Sequence, residues 1–297
     1  MIFMKFRGHE TFFIRKGWLY KGLSNVNDDP GVFLGDAGNP MDVLGIGANM
    51  VKSLRYWLVA TGLTFEPAKG RKVQTITDLG QVILDNDPYM EEIGTLWLIH
   101  YNLVKNEDEA TAWYIMFNEF NNMEFTVDDF YNSTRKYIRM QENANMPSNR
   151  SIDDDFMCIM RTYISRGRME SSKVDPENNI DCPLGELSLM DVINKREGLY
   201  RKTTPNINTI PPLIAYAVIL NSFAGKKEIR MSALKSSKNS LGHVFNLDTV
   251  SILNILYNLE KMGLIKVIRT AGLDVIRIEK TMTYLECIEE YYKTINN

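Results

Sequence analysis

His9 and Glu10 are adjacent near the start of the chain and are the residues best suited to chemistry. An imidazole beside a carboxylate can exchange protons near neutral pH, or the two can ligate a divalent metal. We take this pair as the first candidate for catalysis. The other histidines form no spaced ligand set with it. His100 lies in an apolar stretch typical of a core, and His243 lies in a polar loop where we expect phosphate contact.

Three consecutive carboxylates, Asp153, Asp154 and Asp155, are a second candidate for metal chemistry. Hard cations such as Mg²⁺ prefer carboxylate oxygens, which makes the triplet a candidate metal site. The alternative interpretation is structural and has the stronger support. Ser151, three positions before Asp154, resembles the start of a capping box, and acidic residues stabilise the first turn of a helix.

Polar side chains with the spacing of one helical face follow the glycine pair Gly45 and Gly47. Asn and Arg can form bidentate hydrogen bonds to base edges, and Lys and Tyr can reach phosphates. Basic residues at the tip of a following hairpin would extend such contacts along the DNA backbone. The opposing interpretation is that any amphipathic helix has a polar face. The helix candidates are Asn49, Lys52, Ser53, Arg55 and Tyr56, and the hairpin candidates are Lys69, Arg71 and Lys72.

Apolar periodicity predicts the elements that position these residues. A helix from Ala48 to Thr61 has its apolar residues on one stripe, and Gly62 is a helix stop. Two strands, at 63–65 and 73–76, then enclose a turn at 66–72. A glycine turn, an amphipathic helix and a basic hairpin are the outline of a winged helix-turn-helix.

The same order of elements recurs near the C-terminus. Prolines 211 and 212 open the first helix, as prolines are tolerated in a first turn. The predicted elements are a helix over 213–223, a strand at 229–231, a short helix capped by Ser232, a helix capped by Asn246 or Asp248 with Val250 on its apolar side, and a hairpin over 264–270 and 274–279.

Polar and basic residues of this second unit are expected to contact DNA for the same reasons as those of the first. They lie in the polar loop before the last long helix, on that helix, and on the arms of the hairpin. The candidates are Lys235, Lys238, His243, Asn254, Arg269 and Arg277.

The composition is that of an ordinary globular protein, with 297 residues of which 44% are hydrophobic and 24% charged. Acidic residues outnumber basic ones 22 to eleven over 81–200, whereas both ends of the chain are mildly basic. We therefore predict a mainly α protein in which winged helix-turn-helix units at 1–80 and 183–297 flank a helical middle at 81–182. The polar stretch 166–182 is the predicted boundary loop. The helices predicted for the middle cover 77–85, 91–104, 110–120, 126–141 and 151–165.

Several classes of protein are excluded by missing patterns. The chain has no Gly-x-x-x-x-Gly-Lys-Ser/Thr loop, no Gly-x-Ser-x-Gly and no His-Glu-x-x-His, so neither a nucleotide nor an organic cofactor is expected. No apolar run reaches 18 residues, so we expect no membrane partner. Three widely separated cysteines and the absence of an export signal predict a reduced, cytoplasmic protein.

Distinctive short motifs are distributed along the chain. They are Gly8-His9-Glu10-Thr11-Phe12 followed by Arg15, Trp18-Leu19 and Lys21; Leu44-Gly45-Ile46-Gly47-Ala48-Asn49-Met50-Val51 followed by Arg55-Tyr56-Trp57; Thr77-Asp78-Leu79-Gly80; Asp87-Pro88-Tyr89; Thr95-Leu96-Trp97-Leu98; and Cys182-Pro183-Leu184. They resemble a bacterial family first described as a domain of unknown function. The resemblance covers essentially the whole chain, and its first two motifs are the most specific.

The resemblance implies a role in DNA phosphorothioation. Members of the family are encoded beside cysteine desulfurases and PAPS-reductase-like proteins in phosphorothioation gene clusters, so these enzymes and DNA are the expected partners. The chain is similar to the B component of the Ssp-type system, which is thought to nick DNA so that sulfur replaces a non-bridging phosphate oxygen. The resemblance also makes Arg15 and Lys21 expected partners of phosphate or carboxylate groups, and Gly8 and Trp18 packing residues.

Three functions are therefore open at the level of sequence. The first is a DNA-binding component of a phosphorothioation and defence system that nicks one strand with Mg²⁺ or Mn²⁺. The second is a non-enzymatic DNA-binding adaptor that recruits the sulfur-transfer enzymes through its acidic middle. The third is a winged-helix transcriptional regulator of the gene cluster.

Overall fold

The apolar periodicity of the chain is realised mainly as helices. The computed structural model describes residues 4–36, 38–142, 144–164, 182–270 and 273–296. Within them the protein is mainly helical with small antiparallel sheets, as the sequence predicts. Contacts divide the chain into a first unit, Met1–Thr203, and a second unit, Thr204–Asn297.

The three domains inferred from the sequence, 1–80, 81–182 and 183–297, stay a prediction. The predicted boundary loop at 166–182 lies outside the described residues except for Cys182, which precedes a 3₁₀ turn at Pro183–Leu187. Among the described helices, none is long and apolar enough to cross a membrane.

The core of the first unit contains a helix that is apolar on nearly all sides. The described helices of this unit are α1 (Trp18–Asp28), α2 (Pro40–Leu44), α3 (Ala48–Ala60), α4 (Asp78–Asn86), α5 (Ile93–Lys105), α6 (Thr111–Tyr114), α7 (Val127–Arg139) and α8 (Asn149–Tyr163). Every residue of α5 from Gly94 to Val104 is buried. His100 on this helix is buried and lies 2.8 Å from the Tyr163 hydroxyl through Nδ1, which confirms the prediction of a core histidine.

α3 is the helix that the sequence predicts as a recognition helix. It begins after Gly47, and its apolar stripe is buried as predicted. Gly62 has φ 71°, a left-handed conformation that glycine adopts without a steric penalty, and this turn leads the chain into the hairpin. The helix ends at Ala60, one residue earlier than predicted.

The strands of the first unit are short. β1 (Thr64–Phe65) pairs with β2 (Thr75–Ile76), so the predicted hairpin exists with fewer paired residues. β3 (Glu124–Phe125), β4 (Met190–Asn194) and β5 (Leu199–Lys202) form an antiparallel sheet of order β3-β5-β4. The sequence does not predict this sheet, because strands of two to five residues give too weak an alternating pattern.

Local hydrogen bonds determine where two helices of the first unit begin. Thr126 and Asp129 form a reciprocal capping box at the start of α7. Ser148 is the N-cap of α8 and accepts a hydrogen bond from the Ser151 amide at 3.2 Å, so the predicted start at Ser151 is wrong by about one turn. The helix predicted over 110–120 is α6 followed by a π-helical turn at Ile115–Glu119.

The second unit has the predicted elements in the predicted order, together with two helices, at Leu241–Val244 and Tyr284–Asn296, that the sequence does not predict. It consists of α9 (Pro212–Ser222), β6 (Glu228–Arg230), α10 (Met231–Ser236), α11 (Leu241–Val244), α12 (Thr249–Lys261), β7 (Ile265–Thr270), β8 (Leu273–Ile278) and α13 (Tyr284–Asn296). The strands form an antiparallel sheet of order β6-β8-β7. Ile276 in the central strand lies opposite Ile229 on one side and Val267 on the other.

Two details of the second unit differ from the sequence-based expectations. Asp248 caps α12 by accepting the Ser251 amide at 2.7 Å, which selects it over Asn246, but the N-cap of α10 is Arg230 and not Ser232. Val250 is 65% exposed, because it precedes the buried Ile252 by two residues and so points about 200° away from it around the helix.

Candidate nucleic-acid interface

A groove of about 710 Å³ in the second unit brings together basic residues from three elements. Its walls are α10, the first half of α12 and the β7–β8 hairpin, and its lining includes Arg230, Lys235 and Arg269. Lys235 and Arg269 are predicted DNA-binding residues. Arg230 is a residue that the sequence analysis missed, because it ends a three-residue strand rather than lying in a basic loop or hairpin arm.

Sheet register places two of these cations at neighbouring levels of the outer strands. Arg230 at the end of β6 and Ile268 in β7 both lie opposite Val275 of β8, so Arg269 is one residue beyond the position level with Arg230. Lys235 is in the last turn of α10, which directly follows Arg230. Arg230 and Lys235 therefore line the groove from the β6–α10 segment, and Arg269 lines it from the hairpin, opposite Asp274.

The charges of the groove are available to a ligand. Arg230, Lys235 and Arg269 are exposed, and in the described part of the chain none of them forms an ion pair. Asp248 lies near enough to Lys235 for that ammonium to help lower the pKa of its carboxyl, although the Ser251 amide contributes more to the lowering.

The remaining predicted residues of the second unit do not line the groove. Arg277 is paired with Glu228 at 3.1 Å. His243 is on α11 with Nε2 3.2 Å from the Ser236 carbonyl oxygen. Asn254 is exposed on α12, and Lys238 is exposed in the loop between α10 and α11.

The basic residues of the N-terminal hairpin are occupied by protein partners. Arg55 Nε lies 2.7 Å from Glu66 Oε2, and its Nη2 donates to the Lys72 carbonyl oxygen at 2.8 Å. Lys72 Nζ is 3.8 Å from the same Glu66 carboxylate. Arg71 is paired with Asp36. The predicted wing is therefore largely neutralised by its own neighbours.

Ser53 and Tyr56 do not lie on the exposed face predicted for α3. Ser53 is fully buried and donates to the Phe12 carbonyl oxygen at 3.3 Å. Tyr56 is buried against Gly8, where a Cβ atom would come within 2.5 Å of the tyrosine ring. The segment before α1 covers this side of the helix, which a helical wheel cannot reveal. Of the predicted residues of this region, Asn49, Lys52, Lys69, Arg71 and Lys72 are exposed, although Arg71 and Lys72 are ion-paired.

His9 is buried and bound on both ring nitrogens. Nε2 is 2.6 Å from Asp155 Oδ1, and Nδ1 accepts the Thr11 amide at 3.0 Å. Burial alone lowers the pKa of His9, but Cys158 and Asp155 raise it by more, to about 10 overall. Because the Thr11 amide donates to Nδ1, the ring proton that is donated to Asp155 is the one on Nε2.

The surroundings of His9 indicate a positioning role. The ring is stacked on Trp57 at a centroid distance of 6.0 Å and is fully buried, so it cannot touch a substrate in this structure. Its partner Asp155 also accepts the Arg7 amide at 2.9 Å. The geometry thus does not support His9 as a catalytic residue. Glu10 is partly exposed, and the two ring nitrogens of His9 are bound by other residues.

The two basic residues of the opening motif have different environments. Lys21 Nζ donates to the Leu44 carbonyl oxygen at 3.0 Å, at the end of α2, so its charge supports a helix terminus. Arg15 lies over the Trp18 ring, 5.3 Å from its centroid.

Comparison with known proteins covers nearly the whole chain. A family described as "Protein of unknown function (DUF4007)" matches residues 6–292. The chain belongs to this family. Two crystal structures of SspB, one of them with a bound magnesium ion, match with a TM-score of 0.84 each, at 26% and 25% identity, over 99% of this chain and 89% of theirs. No protein of curated function matches the sequence. The family resemblance inferred from the motifs is confirmed.

One of the two SspB structures contains a magnesium ion, an ion that proteins bind through oxygen atoms such as those of carboxylates. Within residues 4–296 as described, no group of three or more His, Cys, Asp or Glu side chains could hold a metal ion. Asp154 lies 2.8 Å from Arg7 Nε, Asp155 binds His9, and Asp153 is exposed. The three carboxylates face different surroundings because they are consecutive on α8. They do not fit a metal site, and we derive no step through a metal.

Proposed function

We propose that this protein is a DNA-binding component of a DNA phosphorothioation and defence system. The observation that carries DNA binding is the groove of the second unit, where Arg230, Lys235 and Arg269 are exposed without an ion-pair partner in the described chain. Exposed cations without an ion-pair partner can bind the phosphate backbone of DNA, and their binding releases its counterions. The likeness to SspB over 99% of the chain supports the assignment to that system.

We further propose that the second unit acts as a winged helix-turn-helix. The order of its elements, with α10 and α11 before α12 and the β7–β8 hairpin after it, supports this assignment. In this arrangement α12 enters the major groove with Asn254 facing base edges, and the hairpin binds the adjacent backbone through Arg269. Lys238 and His243 would contact phosphates from the segment before α12.

Binding of the full chain to a labelled 20-base-pair duplex tests the proposal. Three phosphate contacts predict a slope of about −2.7 for log K against log salt concentration, and alanine at Arg230, Lys235 or Arg269 is expected to reduce the slope by about 0.9 each. The matched control is Arg71→Ala with Lys72→Ala, which removes two cations that are already paired. An unchanged slope in the folded triple variant would refute the assignment of the groove.

Nicking of one strand is a second candidate activity, favoured by the magnesium ion bound in one SspB structure. Supercoiled plasmid is incubated with the protein and Mg²⁺ or Mn²⁺, and an open-circular product that disappears in Glu10→Gln supports a nickase. Absence of product with both metals favours the adaptor, which would hold DNA for a cysteine desulfurase and a PAPS-reductase-like protein in the cytoplasm. Protection of the promoter of its own gene cluster in a footprint would favour the regulator.

A further inference from the structure

A second cavity lies in the first unit and has no role in the function proposed above. It has a volume of about 210 Å³ and a floor of buried apolar side chains that includes Leu19, Leu96 and Leu184. Segments 14–20, 89–99 and 183–186 form it. These segments contain parts of four of the motifs that resemble the family. The polar residues at the cavity are Arg15, Lys16, Tyr20, Tyr89, Glu91 and Glu186.

The aromatic wall of the cavity is held in place by the loop after α4. The buried Asp87 carboxylate accepts the Glu91 and Glu92 amides, both at 3.0 Å, which fixes the turn between them. Tyr89 in this turn is 59% exposed. Its ring centroid lies 4.6 Å from that of Tyr20, with the two rings tilted by 48°. The turn therefore presents a fixed aromatic ring with one side open to solvent.

Two cations stand near this ring. The Arg15 guanidinium lies 5.3 Å from the ring centroid of Trp18 and 6.0 Å from that of Phe12, and no carboxylate of the described residues forms an ion pair with it. Lys16 Nζ lies 3.8 Å from Glu91 in a pair whose side chains are each about two-thirds exposed. Exposed pairs of this kind contribute little, so an anionic ligand can displace the carboxylate.

The size and chemistry of the cavity define the ligand. Sites for drug-sized ligands have volumes of roughly 300–1,000 Å³, so this smaller cavity suits a single ring. We propose that it binds one unpaired nucleotide of a DNA strand, with the base stacked on Tyr89 above the apolar floor and a phosphate at Arg15 and Lys16. This inference rests on the proposed DNA function. It adds that one nucleotide is held outside the duplex, because a base must leave the stack before a protein pocket can bind it.

The acidic residues at the cavity argue for a whole nucleotide rather than a free anion. Glu91 and Glu186 balance the charges of Arg15 and Lys16, so the cavity attracts phosphate only weakly. A base must therefore supply a large part of the affinity through stacking and burial of its ring. This is why the test has to separate a nucleotide from a phosphate without a base.

Isothermal titration calorimetry of the full chain with each of the four deoxynucleoside monophosphates tests the inference. Saturable binding is expected, and deoxyribose 5-phosphate, which lacks a base, should bind at least about fivefold more weakly. Tyr89→Ala should weaken nucleotide binding by about fivefold or more, because stacking of one base on an aromatic ring contributes about 1–3 kcal/mol. Tyr89→Phe should retain binding. Phe65→Ala is the matched control, since Phe65 is 60% exposed on another part of the same unit.

A duplex with a single 2-aminopurine bulge gives a second measurement. The wild-type protein should quench the fluorescence of the bulged base, whereas Tyr89→Ala should leave it bright and bind a fully paired duplex with unchanged affinity. The variant lacking the cations of the second-unit groove should show the reverse: weak duplex binding and normal nucleotide binding. The inference fails if no monophosphate saturates the protein, if deoxyribose 5-phosphate binds equally well, or if Tyr89→Ala has no effect. Displacement of the nucleotide by N-acetyltyrosine amide at equal affinity would also overturn it, and would indicate an aromatic side chain of a protein partner.

Discussion

The basic residues of the two units are used in opposite ways. Around the N-terminal hairpin, Arg55 and Lys72 share Glu66, and Arg71 is paired with Asp36. In the second-unit groove, Arg230, Lys235 and Arg269 have no such partner among the described residues. Both regions have a helix followed by a hairpin with basic residues, so the composition of the motif does not separate them.

The difference shows that a basic motif is a binding surface only where its charges lack internal partners. The pair of Arg55 with Glu66, whose side chains are 26% and 19% exposed, must be broken before Arg55 can bind a phosphate. The first unit also pairs buried polar groups internally, as in the hydrogen bond between His9 and Asp155. We therefore expect substitutions of the buried paired residues of the first unit to alter stability, and those of the groove cations to alter DNA affinity.

The largest effect is expected when the buried histidine loses its partner. Asp155→Ala should lower the free energy of unfolding of the first unit by about 3–5 kcal/mol, because it leaves His9 Nε2 and the Arg7 amide without an acceptor. Urea unfolding followed by tryptophan fluorescence measures this, since all four tryptophans lie in the first unit.

The neighbouring Asp153→Ala is the matched control for that experiment. Its side chain is exposed on the same helix, so the change in unfolding free energy should stay within about 0.5 kcal/mol. Equal losses in the two variants would mean that the buried pair is not what stabilises this region. Internal pairing of buried polar groups would then not account for the stability of the first unit.

A smaller, pH-dependent effect is expected at Lys202 on β5. Its Nζ donates to the carbonyl oxygens of Met116 and Phe120, and burial lowers the pKa from its ordinary 10.5 to about 7. Between these two values the unfolded chain binds a proton that the folded chain does not. The free energy of unfolding should therefore rise with pH from about 7 to 10, by at most about 1.4 kcal/mol per pH unit.

The Lys202→Met variant isolates this contribution. It keeps a long side chain without a titrating group, so its unfolding free energy should have a lower slope over the same pH range. Unfolding curves of both proteins at pH 7, 8, 9 and 10 provide the comparison. Identical slopes would show that the buried ammonium does not titrate in this range.

Sequence reasoning predicted the features that depend on neighbours along the chain. Most of the apolar stripe of α3, the glycine stop at Gly62 and Asp248 as one of two proposed caps of α12 all follow from residues within about four positions of each other. The hairpin of the second unit is confirmed for the same reason, because its two six-residue strands carry a clear pattern.

Long-range partners decide the parts that sequence reasoning missed. Asp155 is 146 residues from His9, so each could be considered only as a separate candidate. Ser53 and Tyr56 are buried by a segment more than 40 residues away, which periodicity cannot indicate. Lys235 and Arg269 were found as basic residues, whereas Arg230 becomes significant only once β6 pairs with β8.

The smallest effect is expected when the N-terminal hairpin loses the carboxylate that its cations share. Glu66→Gln removes the carboxylate shared by Arg55 and Lys72 while keeping the size of the side chain. If the paired carboxylate is what prevents the N-terminal hairpin from binding DNA, duplex affinity at low salt should rise roughly twofold to fivefold. An exposed charge–charge contact contributes about 0.5–1 kcal/mol, which corresponds to that change in affinity. The rise should vanish at high salt, where exposed charges are screened. No rise at low salt, in a variant that still unfolds normally, would mean that this hairpin does not face DNA and that pairing is not what distinguishes it from the groove.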